Sequence, residues 1–187
     1  MEEKELSAAA ALERLKAGNK LYLNAKKSSG DISPERRLRA SEEGQKPYAV
    51  IITCSDSRVI PEYIFSAGIG ELFVIRVAGN VIDGHQLGSI EYAVEHLGCK
   101  LVVVLGHTRC GAVSAALTPN KGFVGLITDE IRRAIGDEAD GTRASILNIQ
   151  HSVSKIKSLL KCEDGVQITG ALYRTESGAV EFSTEAE

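Results

Sequence analysis

Long apolar runs are missing from this chain of 187 residues. No stretch approaches the 18 or more consecutive apolar residues of a membrane-spanning helix, so no membrane partner is expected. A surplus of positive charge is missing as well. Twenty-two Lys and Arg stand against twenty-five Asp and Glu, a formal net charge of -3. The chain therefore carries no basic field of the kind that draws phosphate backbones, and no nucleic-acid partner is expected. The opening MEEKELSAAAALERLKAG has neither the basic start nor the apolar middle of a secretion signal, which predicts a cytoplasmic protein. Cysteine is sparse: there are four, and no C-x-x-C pair to suggest thiol redox chemistry. In a reducing compartment such cysteines bind metal or do chemistry more often than they form disulfides. No repeat, low-complexity tract or second composition interrupts the chain. The expectation is one domain over residues 1–187, with an N-terminal helical arm at 1–44 and an α/β core at 45–187.

Three stretches of β-branched and apolar residues stand out: Tyr48 to Thr53, Leu72 to Val77, and Leu101 to Leu105. Near-continuous apolar runs of this length predict strands covered on both faces, as in a parallel sheet. A helix over roughly Gln86 to Leu97, stopped by Gly98, lies between the second and third and implies a right-handed crossover. Upstream, Ser7 caps a helix that carries Leu12, Leu15 and Tyr22 and can pack on its own domain or reach a partner subunit. Ser33-Pro34 starts a short charged helix that ends at Gly44. Downstream, Val124, Ile127, Ile131 and Ala134 form one helical stripe, and Ile146, Ile149, Val153, Ile156 and Leu160 another. Val166 to Tyr173 reads as a fourth strand and Ala179 to Phe182 as a short strand folding back on it. The predicted fold is α/β: a mostly parallel sheet of about four strands, with a short antiparallel edge strand, flanked by helices.

Two short segments directly follow predicted strands, Cys54-Ser55-Asp56-Ser57-Arg58 and His107-Thr108-Arg109-Cys110. In open α/β sheets ligands bind at the carboxyl ends of strands. Zn²⁺ takes sulfur and nitrogen donors, and three protein ligands leave a fourth tetrahedral corner for water or substrate. Cys54, His107 and Cys110 are thus read as ligands of one catalytic zinc. A closed structural zinc would need a fourth Cys or His at knuckle spacing, and none is present. Two thiolates cancel the charge of the ion, so bound water should be less acidic than at a three-histidine zinc, where its pKa is about 7, and activity should rise on the alkaline side. Asp56 can complete the metal tetrahedron, or it can pair with Arg58 and accept a hydrogen bond from metal-bound water, since a guanidinium fork grips a carboxylate bidentately. Arg109 either guides an anion or faces solvent. His85, His96 and His151 are read as surface histidines, and Cys99 and Cys162 as ordinary packing or surface thiols. A cysteine phosphatase would need its Arg farther beyond the Cys than the four positions found here.

With these residues in place, the sequence resembles the β-class carbonic anhydrases. Four blocks in order carry the likeness: Cys-Ser-Asp-Ser-Arg-Val at 54 to 59, Phe-Val-Ile-Arg-Val-Ala-Gly-Asn at 73 to 80, Gly-Ser-Ile-Glu-Tyr-Ala-Val at 88 to 94, and Gly-His-Thr-Arg-Cys-Gly at 106 to 111. The resemblance implies one Zn²⁺ per subunit and reversible hydration of CO₂ to bicarbonate and a proton through a zinc-bound hydroxide. It further implies that Gln45 hydrogen-bonds substrate oxygen and that Phe73, Ala78 and Tyr92 line the CO₂ pocket. It implies a homodimer or dimer-based tetramer, with the pocket near the subunit interface and the N-terminal helix gripping the partner. Two other readings use the same residues: hydrolysis of carbonyl sulfide or carbon disulfide on the same fold, and a non-catalytic zinc or bicarbonate sensor. The sensor would be marked by loss of Asp56 or Arg58, and both are present. Three features depart from the family pattern. The segment between Lys157 and Val166 is short, Arg174 replaces the Asp that commonly follows the last strand's Tyr, and no tryptophan marks the bicarbonate regulatory pocket of one subgroup.

Overall fold

In chain order the elements are α1 (Ala8–Asn24), α2 (Pro34–Glu43), β1 (Ala49–Thr53), α3 (Pro61–Ile64), β2 (Leu72–Arg76), a 3-10 turn (Ala78–Asn80), α4 (Gly84–Glu95), β3 (Leu101–His107), α5 (Gly111–Ala116), α6 (Gly122–Ile135), α7 (Gly141–Leu159), β4 (Gln167–Tyr173) and β5 (Val180–Phe182). These come from a computed structural model that describes residues 6–25, 30–161 and 165–183. Cys162 lies outside the described residues, as does part of the short segment before Val166. The sheet order is β2-β1-β3-β4-β5, with the first four strands parallel and β5 antiparallel to β4. This is the sheet expected from the apolar runs. No helix among the described residues is long and apolar enough to cross a membrane.

β1 and β3 are central and every residue in them is buried, which is why they carry almost no polar side chains. Their alternate residues feed two cores. Ala49, Ile51, Leu101, Val103 and Leu105 pack with Leu15 of α1 and Ile64 and Phe65 at α3. Val50, Ile52, Val102 and Val104 pack with Ile90 of α4 and Ile149 and Ile156 of α7. Each fully buried Leu or Ile contributes roughly 1.5–3 kcal/mol of transfer free energy. A third cluster lies beyond the strands' carboxyl ends, where Val113 and Ala116 of α5 meet Ile131 and Ile135 of α6.

Of the two placements open to α1, the structure shows it docked on its own domain. Ala11 and Leu15 are fully buried. Asn19 donates to the carbonyls of Ile64 (3.2 Å) and Gly178 (2.9 Å) and accepts from the Val180 amide (3.0 Å), tying α1 to the hairpin. The Ser7 and Ser33 caps and the Gly44 stop fall where the sequence puts them. α4 begins two residues earlier than expected, because Asp83 and Gln86 form a capping box around its first turn.

The stripe expected on α6 holds at Ile127, Ile131 and Ala134, which pack on the third cluster, and needs correction at its start. Val124 is exposed, and the buried line runs through Gly125, Thr128, Ile131 and Ile135. Thr128 tolerates burial because its hydroxyl donates to the Val124 carbonyl at 3.2 Å. Arg174 has a partner of its own: its guanidinium pairs with Glu181 across the β4–β5 hairpin, with one bond of 3.0 Å to Oε2.

Candidate metal centre

Cys54 is the first residue beyond β1, His107 is the last residue of β3, and β1 and β3 are neighbours. The chain then reverses through Thr108 and Arg109, the latter at φ 55°, so that Cys110 caps α5 beside the histidine it follows. The three ligand atoms lie within 4.8 Å of one another, and all three residues are buried. Tetrahedral Zn²⁺ with Zn–S near 2.3 Å places two sulfurs about 3.8 Å apart, so this spacing can close on one ion.

The imidazole is presented in one tautomer. His107 Nδ1 donates to the Thr108 carbonyl at 2.9 Å, which leaves the lone pair on Nε2. That Nε2 atom is buried and has no hydrogen-bond partner. A deep, unpaired nitrogen facing two sulfurs is costly unless a cation takes its lone pair, so the donor set fits a metal. The sulfurs are supported as well. The Gly79 amide donates to Cys54 Sγ at 3.2 Å. In the metal-free pair, the hydrogen bond from Cys110 brings the Cys54 thiol down to about 4; burial opposes this, while His107 and the Gly79 and Asp56 amides assist. The same bond to Cys54, together with burial, pushes the Cys110 thiol up.

Asp56 sits at the rim, with its Oδ2 3.9 Å from His107 Nε2. Arg58 holds it on three sides: its amide and Nε donate to Oδ1 (2.9 Å each) and its Nη2 donates to Oδ2 (2.8 Å). Those bonds keep the carboxyl below the usual carboxylate range despite some burial. The fork reaches further, since Arg58 Nη2 also donates to the Arg109 carbonyl at 3.1 Å, joining the two ligand loops. Arg109 thus acts through its backbone, and its side chain is exposed. Arg76 braces the first loop from below, donating to the carbonyls of Cys54 (3.2 Å) and Asp56 (2.7 Å).

The remaining sequence-derived residues divide. Ala78 lies in the 3-10 turn whose next residue touches Cys54. Phe73 pairs with Val50, four residues before Cys54 on β1, and its ring meets Tyr92 at 6.2 Å between centroids. Tyr92 in turn meets the exposed His96 at 5.3 Å. Gln45 lies at the amino end of β1, in a groove it shares with Arg14, Arg36, Tyr48 and His96. Within one chain, Gln45, Phe73 and Tyr92 therefore stand apart from the cysteines and His107. His85 is exposed, His151 meets Glu130 at 3.4 Å on the α6–α7 surface, and Cys99 is buried with its thiol on the Pro47 carbonyl (3.2 Å). Sequence reasoning missed a polar clasp: Thr108 donates to Glu176 (2.9 Å) and accepts from the Thr175 amide (3.0 Å), anchoring the turn after His107 to the hairpin. Only the hydroxyls at 108 and 175 hinted at it, 67 positions apart.

Known proteins agree with this geometry. Residues 49–180 match the family model described as carbonic anhydrase. Carbonic anhydrase 2 of Mycobacterium tuberculosis is 43% identical over 143 residues, covering 75% of this chain and 69% of that protein. The carbonic anhydrase of Mycolicibacterium smegmatis is 36% identical over 190 residues, covering 92% of each. Among solved structures, the β-carbonic anhydrase CafA of Aspergillus fumigatus superposes with a TM-score of 0.67 at 28% identity, covering 82% of this chain and 88% of that one.

Proposed function

We propose that this chain, which belongs to the β-carbonic anhydrase family, interconverts carbon dioxide and bicarbonate at a zinc held by Cys54, His107 and Cys110. The observation that carries the reading is the buried, unpartnered Nε2 of His107, turned toward two cysteine sulfurs and flanked by a carboxylate. Zinc, when bound, supplies a Lewis acid that brings the pKa of a coordinated water toward neutrality.

The chain's own residues do the rest. Thr108 fixes the tautomer and plane of His107 through its carbonyl. Arg58 turns both Asp56 oxygens toward itself and away from coordination. Of the two roles open to Asp56, this favours the acceptor: its carboxylate is placed to take a hydrogen bond from a nucleophile rather than to fill the fourth corner. The protein's two sulfur donors cancel the metal charge, so the pH-rate profile should rise on the alkaline side of neutral.

Gln45, Phe73 and Tyr92 fit this reading as substrate-pocket residues only if a second copy carries them to the centre. We accordingly read the assembly as a homodimer or dimer-based tetramer, and residues 1–187 as one zinc domain acting in the cytoplasm. A stopped-flow CO₂ hydration assay on protein of measured zinc content tests the proposal. Turnover that scales with zinc supports it. Zinc-loaded protein that ignores CO₂ but hydrolyses carbonyl sulfide or carbon disulfide would replace it, and zinc-loaded protein inert to all three would point to a sensor.

A further inference from the structure

Beside the apolar stripe of α7 runs a second stripe that is polar and just as deep: Ser145, Asn148 and Ser152, exposed by 3%, 1% and 2%. Polar side chains this far inside a core persist where they have hydrogen bonds to make. Ser145 satisfies itself within the helix, donating to the Gly141 carbonyl at 2.8 Å. The other two reach out of it. Asn148 Nδ2 donates to the Gly79 carbonyl at 2.8 Å, and Ser152 Oγ donates to the Asn80 carbonyl at 3.2 Å. Both carbonyls belong to the turn after β2, which lies 69 and 72 positions away in sequence.

Gly79 is the hinge of this arrangement. Its amide points to Cys54 Sγ at 3.2 Å, while its carbonyl points to Asn148. It adopts the left-handed conformation, φ 67° and ψ 16°, which L side chains rarely hold, and a Cβ there would come within 2.6 Å of Ile131 Cδ1. A glycine is free to turn, so the direction of its N–H depends on what restrains the next peptide. Two bonds hold that peptide: within the turn the Asn80 amide donates to the Val77 carbonyl at 2.9 Å, and from outside it Asn148 takes the Gly79 carbonyl.

We propose that Asn148 is a positioning residue for the metal centre: by pinning the Gly79 carbonyl it aims the Gly79 N–H at the Cys54 sulfur. It touches no ligand and no substrate, and it acts through one glycine. An N–H on a metal-bound thiolate draws electron density from the sulfur and fixes the direction of its lone pairs. Loss of that aim changes how the sulfur binds the metal without removing any ligand. The inference rests on the reading of Cys54, His107 and Cys110 as zinc ligands.

The test uses the full-length protein with zinc, and with cobalt in its place. Asn148→Leu keeps the branched shape and loses the donor. It should weaken zinc about tenfold or more in competition with a chromophoric chelator, the range expected for residues that orient metal ligands. It should also move the sulfur-to-cobalt charge-transfer band. Ser145→Ala, which breaks only a bond inside α7, should leave both readouts unchanged. If Asn148→Leu lowers the melting temperature while zinc affinity and band position match the unaltered protein, Asn148 merely packs α7 and the proposal is overturned. Should Asn148→Leu fail to fold, Asn148→Ala removes the same donor without added bulk and must displace the band in the same direction; an unmoved band with unaltered zinc affinity overturns the proposal equally. Failure of the underlying metal reading is seen separately, as unaltered protein that takes up neither zinc nor cobalt.

Discussion

Replacing Gly106 by alanine should damage the protein through one side chain, that of Ile149. Gly106 precedes His107 on β3, and Gly170 lies on neighbouring β4, where it pairs with Val104. A Cβ at Gly106 would stand 2.6 Å from both Cγ1 and Cδ1 of Ile149, and a Cβ at Gly170 would stand 2.5 Å from its Cγ2. Both branches of Ile149 are therefore seated in glycine notches, and a β-branched side chain has few rotamers with which to leave them. Overpacking of this kind costs about 1–3 kcal/mol, so a value near 2 is expected. For a domain of this size that lowers the melting temperature by roughly 4–8 °C. Ile149→Ala alone should cost about 2–5 kcal/mol by leaving a cavity. In that background the added methyl has room, and Gly106→Ala should cost about nothing, or return the ~0.4–1 kcal/mol that alanine takes from the unfolded chain's entropy. The double-mutant cycle should then show about 2 kcal/mol of coupling, well above the ~0.3–0.5 kcal/mol scatter of independent sites. Urea unfolding of the four proteins at one fixed concentration measures it. Additive costs would refute the wedge. The matter bears on the site because Asn148 adjoins Ile149, so the depth to which Ile149 seats sets the reach of the amide toward Gly79.

Asp56→Asn keeps the shape of the rim and removes its charge; zinc content should be unchanged while CO₂ hydration falls at least about tenfold, and undiminished turnover would take Asp56 out of the mechanism. The same variant tests linkage: the folded Asp56 carboxyl titrates below its ordinary value near 3.9, so its stabilisation is complete above about pH 4 and disappears as pH falls through the folded value. The melting-temperature gap between the two proteins should accordingly be flat from about pH 5 to 7 and close in stronger acid. With the Cys54 thiol held down by its neighbour and the Cys110 thiol pushed up, zinc binding to the metal-free protein at neutral pH should release fewer than two protons from the sulfur pair; calorimetry in buffers of different ionisation enthalpy counts them, and a count of two would refute the lowered Cys54. Gly18→Ala would set a Cβ 1.9 Å from the Phe65 carbonyl oxygen, which is backbone and has no rotamer to change, so α1 must lift. Proteolysis within residues 8–24 should accelerate in that variant, and unchanged resistance would contradict the docking of α1 described above.

How much of this was legible beforehand follows from how far each signal reaches along the chain. Val50 to Thr53 and Leu101 to Leu105 announce themselves because a strand buried on both faces must be apolar throughout. The candidate ligands were legible for a related reason. A strand that ends in Cys54 and a neighbour that ends in His107 bring two donors to one end of the sheet whatever else the chain does, and H-x-x-C returns Cys110 within one turn. The stripe on α6 held at Ile127, Ile131 and Ala134 and failed at Val124, because periodicity weighs apolarity, whereas the first turns pack through Gly125 and a self-bonded Thr128. Gln45, Phe73 and Tyr92 came from resemblance alone, and resemblance says which residues line a pocket without saying which copy supplies them.

The supports of the centre were the least legible part, and the reason is physical rather than statistical. Asn148 and Ser152, four apart on an amphipathic helix, carry the signature of a solvent-facing pair, since nothing local distinguishes an amide that will face water from one that will meet a carbonyl 69 positions upstream. What reveals them is the combination of near-complete burial with a bond that leaves the helix. The same holds for Thr108, whose hydroxyl is read from sequence as a loop residue's and is found closed on Thr175 and Glu176. Donors that bind a metal must lie at chain positions the sheet brings together, so topology and chemistry both mark them. The groups that aim those donors need only arrive from some element packed behind the sheet, and any polar residue on any buried face can serve. A search of related chains for catalytic differences should therefore look first at the polar residues of α7 and of the β4–β5 turn, where a change leaves every ligand in place and alters how it is held.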